Sequence, residues 1–125
     1  MKQRNLAVLV ALVCFVLALS AFAHHGTARF DMSHIVTMEG TVRDFQWMNP
    51  HPYIHADVKN EKGEMENWAL ECGSPLMLVR VGWTKKSVKA GDHVKIYGFR
   101  AKDGSPYMHL ERLEIPGGQA LVGFP

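Results

Sequence analysis

The sequence predicts an all-β domain with one short helix. Three observations predict it: five runs of β-branched and aromatic residues that alternate at period two, glycine- or proline-bearing turns between them, and a single Ser-Pro helix start between the third and fourth runs.

The first segment is an export signal. Lys2 and Arg4 precede an apolar run of fourteen residues, Leu6 to Leu19, and Ala21-Phe22-Ala23 fits the small-x-small rule for a peptidase. Residues 1–23 therefore read as a cleaved signal peptide, with His24 first in the mature chain. The alternative is a retained anchor, since Leu6 to Ala23 approaches the roughly 17–25 apolar residues that span a bilayer. Cys14 lies mid-run after Leu12-Val13, which argues against a lipoprotein.

Residues 24–34 form a histidine-bearing arm, and residues 35–125 the β-domain. Ile35 to Trp47 is the first strand, with Val36, Met38, Gly40 and Val42 on one face and a bulge or sharp bend expected at Gly40. Asn49-Pro50 breaks the pattern, because proline gives no amide hydrogen to a sheet. Tyr53 to Lys59 is the second strand, Asn60 to Gly63 a hairpin connection, and Glu64 to Glu71 the third strand.

Ser74 caps a two-turn helix over Pro75 to Val81, with proline at the first helical position. Leu76 and Val79 are expected to face inward, and Trp83 to close over the helix end after Gly82. His93 to Arg100 is the fourth strand. Tyr107 to Ile115 is the fifth, where Leu110 and Leu113 fall out of phase and suggest a bulge. Gly117-Gly118 ends it and leaves a short apolar tail. The order β-β-β-α-β-β is that of an OB-fold, a five-stranded Greek-key barrel with a helix at one end. An open sandwich of the same strands is the rival architecture.

Composition bounds the function. Of fourteen Lys and Arg, two leave with the signal, and none of the twelve Asp and Glu do, so the mature chain is formally neutral. That argues against a nucleic-acid partner, which needs a clustered basic face; Lys85-Lys86 and Lys89, the only local cluster, read as a solvated loop. No membrane contact is expected after cleavage. Cys72 is the single cysteine of the mature chain, so no internal disulfide forms, and it reads as a small buried hydrophobe. No nucleophile elbow or selected carboxylate pair is present, and a non-catalytic module is expected.

All seven histidines fall in the mature chain, and His24-His25 would open it. A terminal histidine offers its ring and its α-amine to one metal, and such an amine deprotonates near its reference pKa of ~7.7–8. Nitrogen donors favour copper among divalent ions. No cofactor is required by the sequence; the one these donors point to is copper, held by His24, His25 and His51. On a regular strand His51 and His55 cannot both join, because four residues separate them by about 13 Å; only a strong bend at Pro52 would bring both to one ion. His51, stiffened between Pro50 and Pro52, is the better candidate; the alternative is a turn histidine bonded to a backbone carbonyl. Trp47, Asn49, Tyr53 and His55 are candidates to face a sugar or peptide, although Trp47, Tyr53, Trp68 and Trp83 also fit a core. The partner is then a small ligand or an envelope protein, the latter met by an edge strand or the aromatic surface.

Several stretches together carry a resemblance: His24-His25-Gly26, Phe30-Asp31, Gly40-Thr41-Val42, Trp47-Met48-Asn49-Pro50-His51, Gly73-Ser74-Pro75, Arg80-Val81-Gly82-Trp83, and Lys89-Ala90-Gly91-Asp92 with Lys102-Asp103-Gly104. The chain resembles a family of small exported bacterial proteins, domain-of-unknown-function family 6152. The resemblance implies a periplasmic or secreted all-β domain, with Asn49, Pro50 and His51 as a signature and His24 and His25 as the usual mature start. It assigns them no role. Leu76 after Pro75, and Cys72, depart from the family pattern.

Overall fold

A computed structural model describes Val8 and residues 25–125. The predicted signal segment, apart from Val8, and His24 lie outside the described residues. In chain order the elements are α1 (His25–Ala28), β1 (Val36–Gln46), β2 (Tyr53–Lys59), β3 (Met65–Glu71), α2 (Pro75–Arg80), β4 (His93–Arg100), β5 (Tyr107–Glu114) and β6 (Ala120–Val122). Among the described residues no helix is long and apolar enough to cross a membrane.

Strands β1, β2 and β3 form an antiparallel meander. β1 also pairs antiparallel with β4, β4 with β5, and β5 returns parallel to β3 through Ala69↔Tyr107, Leu70↔Met108 and Glu71↔His109. Five strands thus close into a mixed barrel, with the expected OB-like order and the helix between β3 and β4. The rival open sandwich is excluded by the β3–β5 and β1–β4 pairings.

Closure depends on β1 serving two neighbours. Val36 to Thr41 pairs with β4, while Gly40 to Gln46 pairs with β2, so the strand is shared around Gly40 and Thr41. At Gly40 a Cβ would sit 2.8 Å from the Asp57 carbonyl oxygen, so only glycine admits this approach. The register shift falls between Val42 and Asp44 and not at Gly40 itself, so the expected bulge is displaced to Arg43. The bulge expected in β5 is present: Tyr97 pairs with Arg112 and Gly98 with Leu110, which leaves Glu111 as the extra residue and returns Leu113 to the interior.

Alternation sorts the faces. Ile54, Ala56 and Val58 of β2 point inward beside Leu70 of β3 and Ile96 of β4, while Tyr53, His55 and Asp57 point outward. Ser74 Oγ accepts the Met77 amide at 3.4 Å, which caps α2 as expected. The inward side of α2 differs from expectation. Leu78 is fully buried, whereas Leu76 and Val79 are 64% and 56% exposed. A six-residue helix offers a single inward position, and Leu78 fills it as part of the core; its carbonyl also accepts the amide of the buried Trp83.

Two further elements extend the expected set. The apolar tail forms a sixth strand, β6, on the β5 edge through Arg112↔Val122, Leu113↔Leu121 and Glu114↔Ala120. The short turn α1 adds a second helical element to the single one predicted.

Candidate functional site

The outer face of the barrel should be wet, yet at one corner it is buried. Tyr53 opens β2, Glu71 ends β3 and Tyr107 opens β5; Tyr53↔Glu71 and Glu71↔His109 are paired across the strands. All four side chains lie on the outward register, beside the β1–β2 and β4–β5 connections. Even so, Glu71 and His109 are only 9% and 6% exposed.

The segments before β1 and after β6 pack over this corner. Phe30 forms an isolated bridge with Ala101, framed by Asp31 N–H to Arg100 O at 2.9 Å and Lys102 N–H to Arg29 O at 2.9 Å. This places the Phe30 ring against Tyr107 (centroids 5.5 Å, 11° between planes) and against His109 (5.4 Å). Arg29 lies over the Tyr107 ring at 4.2 Å. From the other end, Phe124 stacks on His109 at 3.7 Å and reaches His51 at 5.9 Å.

Beneath this cover is a hydrogen-bonded chain. The Tyr107 hydroxyl donates to Glu71 Oε2, and the Tyr53 and Tyr107 hydroxyls are 3.2 Å apart. Glu71 Oε1 lies 3.9 Å from His51 Nδ1. A carboxylate so nearly removed from water is tolerable only with such partners. Burial first, then the bond to Glu71, pushes the Tyr107 hydroxyl above the ordinary tyrosine range. His109 is held below the ordinary histidine value by burial; the Glu71 and Glu111 charges oppose this. The buried Cys72 thiol is pushed up by burial and by the Glu71 charge, which keeps it protonated and chemically quiet.

His51 is the member with an open side. Its Nδ1 is 2.8 Å from the Cys72 carbonyl oxygen, which can only accept, so Nδ1 carries the proton and a neutral ring keeps Nε2 as a free lone pair. The ring is 35% exposed. This is the backbone-carbonyl contact of the bland turn histidine, and it is also how a metal-binding histidine is oriented.

The structure therefore joins His51 and Tyr53 of the predicted residues and separates the others. His55 faces outward one pair further along β2, opposite Ala69 and Asp44. Trp47 packs edge-on to Phe45 at 5.7 Å against the core. Asn49 is exposed, and its bond to Pro50 is cis. Trp68 and Trp83 are core residues, 2% and 1% exposed. His24 and the His25 side chain lie outside what is described, but the arm that follows them runs onto Tyr107 and His109. No group of three or more His, Cys, Asp or Glu side chains among the described residues is arranged to hold a metal ion.

Sequence reasoning missed Glu71, Tyr107 and His109 as site residues. Their period-two placement with Leu70, Met108 and Leu110 was a signal that they share the outer face. Nothing local marks that face as covered.

A groove of about 820 Å³ lies elsewhere, lined among others by Glu39, Asp57, Lys59, His93, Lys95 and Glu114. None of the predicted site residues lines it. Its charges are of both signs, and two of its acids are already paired, Asp57 with Arg43 at 3.0 Å and Glu114 with Arg112 at 2.9 Å.

No curated protein matches the chain. Over residues 11–108 it matches the family of unknown function DUF6152, a span that includes His51, Glu71 and Tyr107 and most of the barrel, and the chain belongs to that family.

Proposed function

We propose that this chain is an exported, non-catalytic binding domain of the periplasm, and that its ligand is held at the covered outer corner of β2, β3 and β5. One observation carries the reading: a buried carboxylate, Glu71, organised by Tyr107 and flanked by His51. A barrel needs no acid at that position, and burying one is unfavourable. The corner also lies where OB-type barrels receive oligomeric ligands, on the β2–β3 face beside the first and last inter-strand loops. Tyr53 offers an aromatic face for a sugar or peptide.

The test is calorimetric titration of the exported protein with soluble disaccharide-peptide fragments of cell wall. Binding weakened at least about tenfold by Tyr53→Ala or Glu71→Gln supports the reading, an effect the size of one charge-assisted hydrogen bond. Reproducible turnover of the fragments overturns its non-catalytic part.

A second reading is favoured by the orientation of His51. Its Nδ1 is committed to the Cys72 carbonyl, leaving Nε2 for a ligand, and the arm after His25 is pinned at the same corner. The ligand is then a transition-metal ion, copper first, with the His24 amine and ring, His25 and His51 as donors. Copper titration, with intact mass to locate the N-terminus, tests it. Tight one-to-one uptake beginning at His24 and lost in His24→Ala and His51→Ala is expected; weak uptake indifferent to both substitutions refutes it.

A further inference from the structure

We propose that the segment from Leu76 to Lys89 docks the domain onto an anionic phospholipid bilayer. Single exposed apolar side chains are ordinary on protein surfaces, but here three large ones fall within six residues: Leu76, Val79 and Val81, 64%, 56% and 40% exposed. Leu76, Val79 and Arg80 are spaced i, i+3 and i+4 on α2, so they share the face opposite the buried Leu78.

Charge selects the occupant. From Cys72 to Gly91 the chain has no Asp or Glu and four cations, Arg80, Lys85, Lys86 and Lys89. Lys89 is tied to Asp92. Among the described residues no carboxylate lies within ion-pair distance of Arg80, Lys85 or Lys86. Read as sequence, these lysines are a solvated loop; Arg80 shares its face of α2 with Leu76 and Val79, and Lys85 and Lys86 follow within six residues. Apolar side chains beside unpaired cations suit an anionic lipid surface, which demands no shape complementarity. The groove shares no residue with this segment.

The segment is already ordered for contact. Leu78, Trp83 and Val88 are buried and tie it to the core at three points, and Trp83 Nε1 donates to the Val122 carbonyl at 2.9 Å. Thr84 N–H to Ser87 Oγ at 2.8 Å and Lys86 N–H to Thr84 Oγ1 at 3.1 Å fix the turn that displays Lys85 and Lys86. Docking therefore requires little further ordering.

The experiment is co-sedimentation of the exported protein with vesicles of phosphatidylglycerol in phosphatidylcholine, and with phosphatidylcholine alone. Binding to the anionic vesicles only, released by raised salt, is expected. Lys85→Ser with Lys86→Ser should weaken it roughly 25-fold, at about fivefold per cation. Leu76→Ser with Val79→Ser should weaken it about tenfold, through lost apolar contact. Lys62→Ser, in the β2–β3 hairpin, should leave it unchanged. All these side chains are exposed, and circular dichroism checks that each variant folds; the salt response of the unaltered protein is an independent readout. Failure to bind anionic vesicles, equal binding to neutral ones, salt-insensitive binding, or binding only to an acidic protein overturns the proposal.

Discussion

Replacing Tyr107 with Phe removes one oxygen from the covered corner and leaves Glu71 without its principal donor. A hydrogen bond to a charged group contributes roughly 1.5–3 kcal/mol. Glu71 retains 12% side-chain exposure, so water can partly replace the lost donor, and a loss of about 2 kcal/mol is expected. In a domain of this size that lowers the melting temperature by about 8–16 °C. Urea unfolding should show a lower midpoint with an unchanged slope, because the surface exposed on unfolding is the same. The same substitution made on Glu71→Gln exchanges a charge-assisted bond for a neutral one and should cost only about 1 kcal/mol. The difference, about 1 kcal/mol, is the coupling that a double-mutant cycle reads. Equal losses in the two backgrounds, or a loss under about 0.5 kcal/mol in the first, would refute the claim that this pair organises the corner.

Leu78→Ala should destabilise the domain by about 2–5 kcal/mol through the cavity it leaves, while Leu76→Ala stays within about 0.5 kcal/mol; urea midpoints compare them. Gly98→Ala puts a Cβ 2.3 Å from the His109 carbonyl oxygen and 2.7 Å from Met108 Cγ, so it should cost about 1–3 kcal/mol or more and lower expression yield. Acid should weaken the fold through His109. Burial lowers its folded pKa below the ordinary 6.5, with His51 adding to this and Glu71 and Glu111 opposing it. Between those two values the unfolded chain binds more protons, so stability rises with pH and is lost as pH falls below 6.5. His109→Phe should remove that part of the pH profile, measured as midpoint against pH.

The five barrel strands were legible because each buries one face, so period two survives in residues such as Ile54, Ala56 and Val58. The OB-like order followed from Ser74-Pro75 falling between the third and fourth runs. The inward side of α2 was not legible, since Leu76, Leu78 and Val79 are interchangeable as apolar residues and only the barrel end selects Leu78. β6 escaped notice because three residues after two glycines carry too little pattern. Within the site, His51 and Tyr53 stood out beside the prolines. Glu71, Tyr107 and His109 did not, because alternation assigns them to an outer face that is ordinarily solvated. His109 is covered by Phe30 and Phe124, which pack on it from opposite ends of the domain.

Amide shift mapping by nuclear magnetic resonance tests most directly whether this corner is the ligand site. The exported protein is titrated in turn with Cu(II) and with disaccharide-peptide fragments. Shifts or broadening concentrated in residues 49–55, 69–73 and 105–109 are predicted for the ligand that binds. Changes confined to the groove around Glu39, Lys59 and Lys95, with the corner silent, would contradict the account.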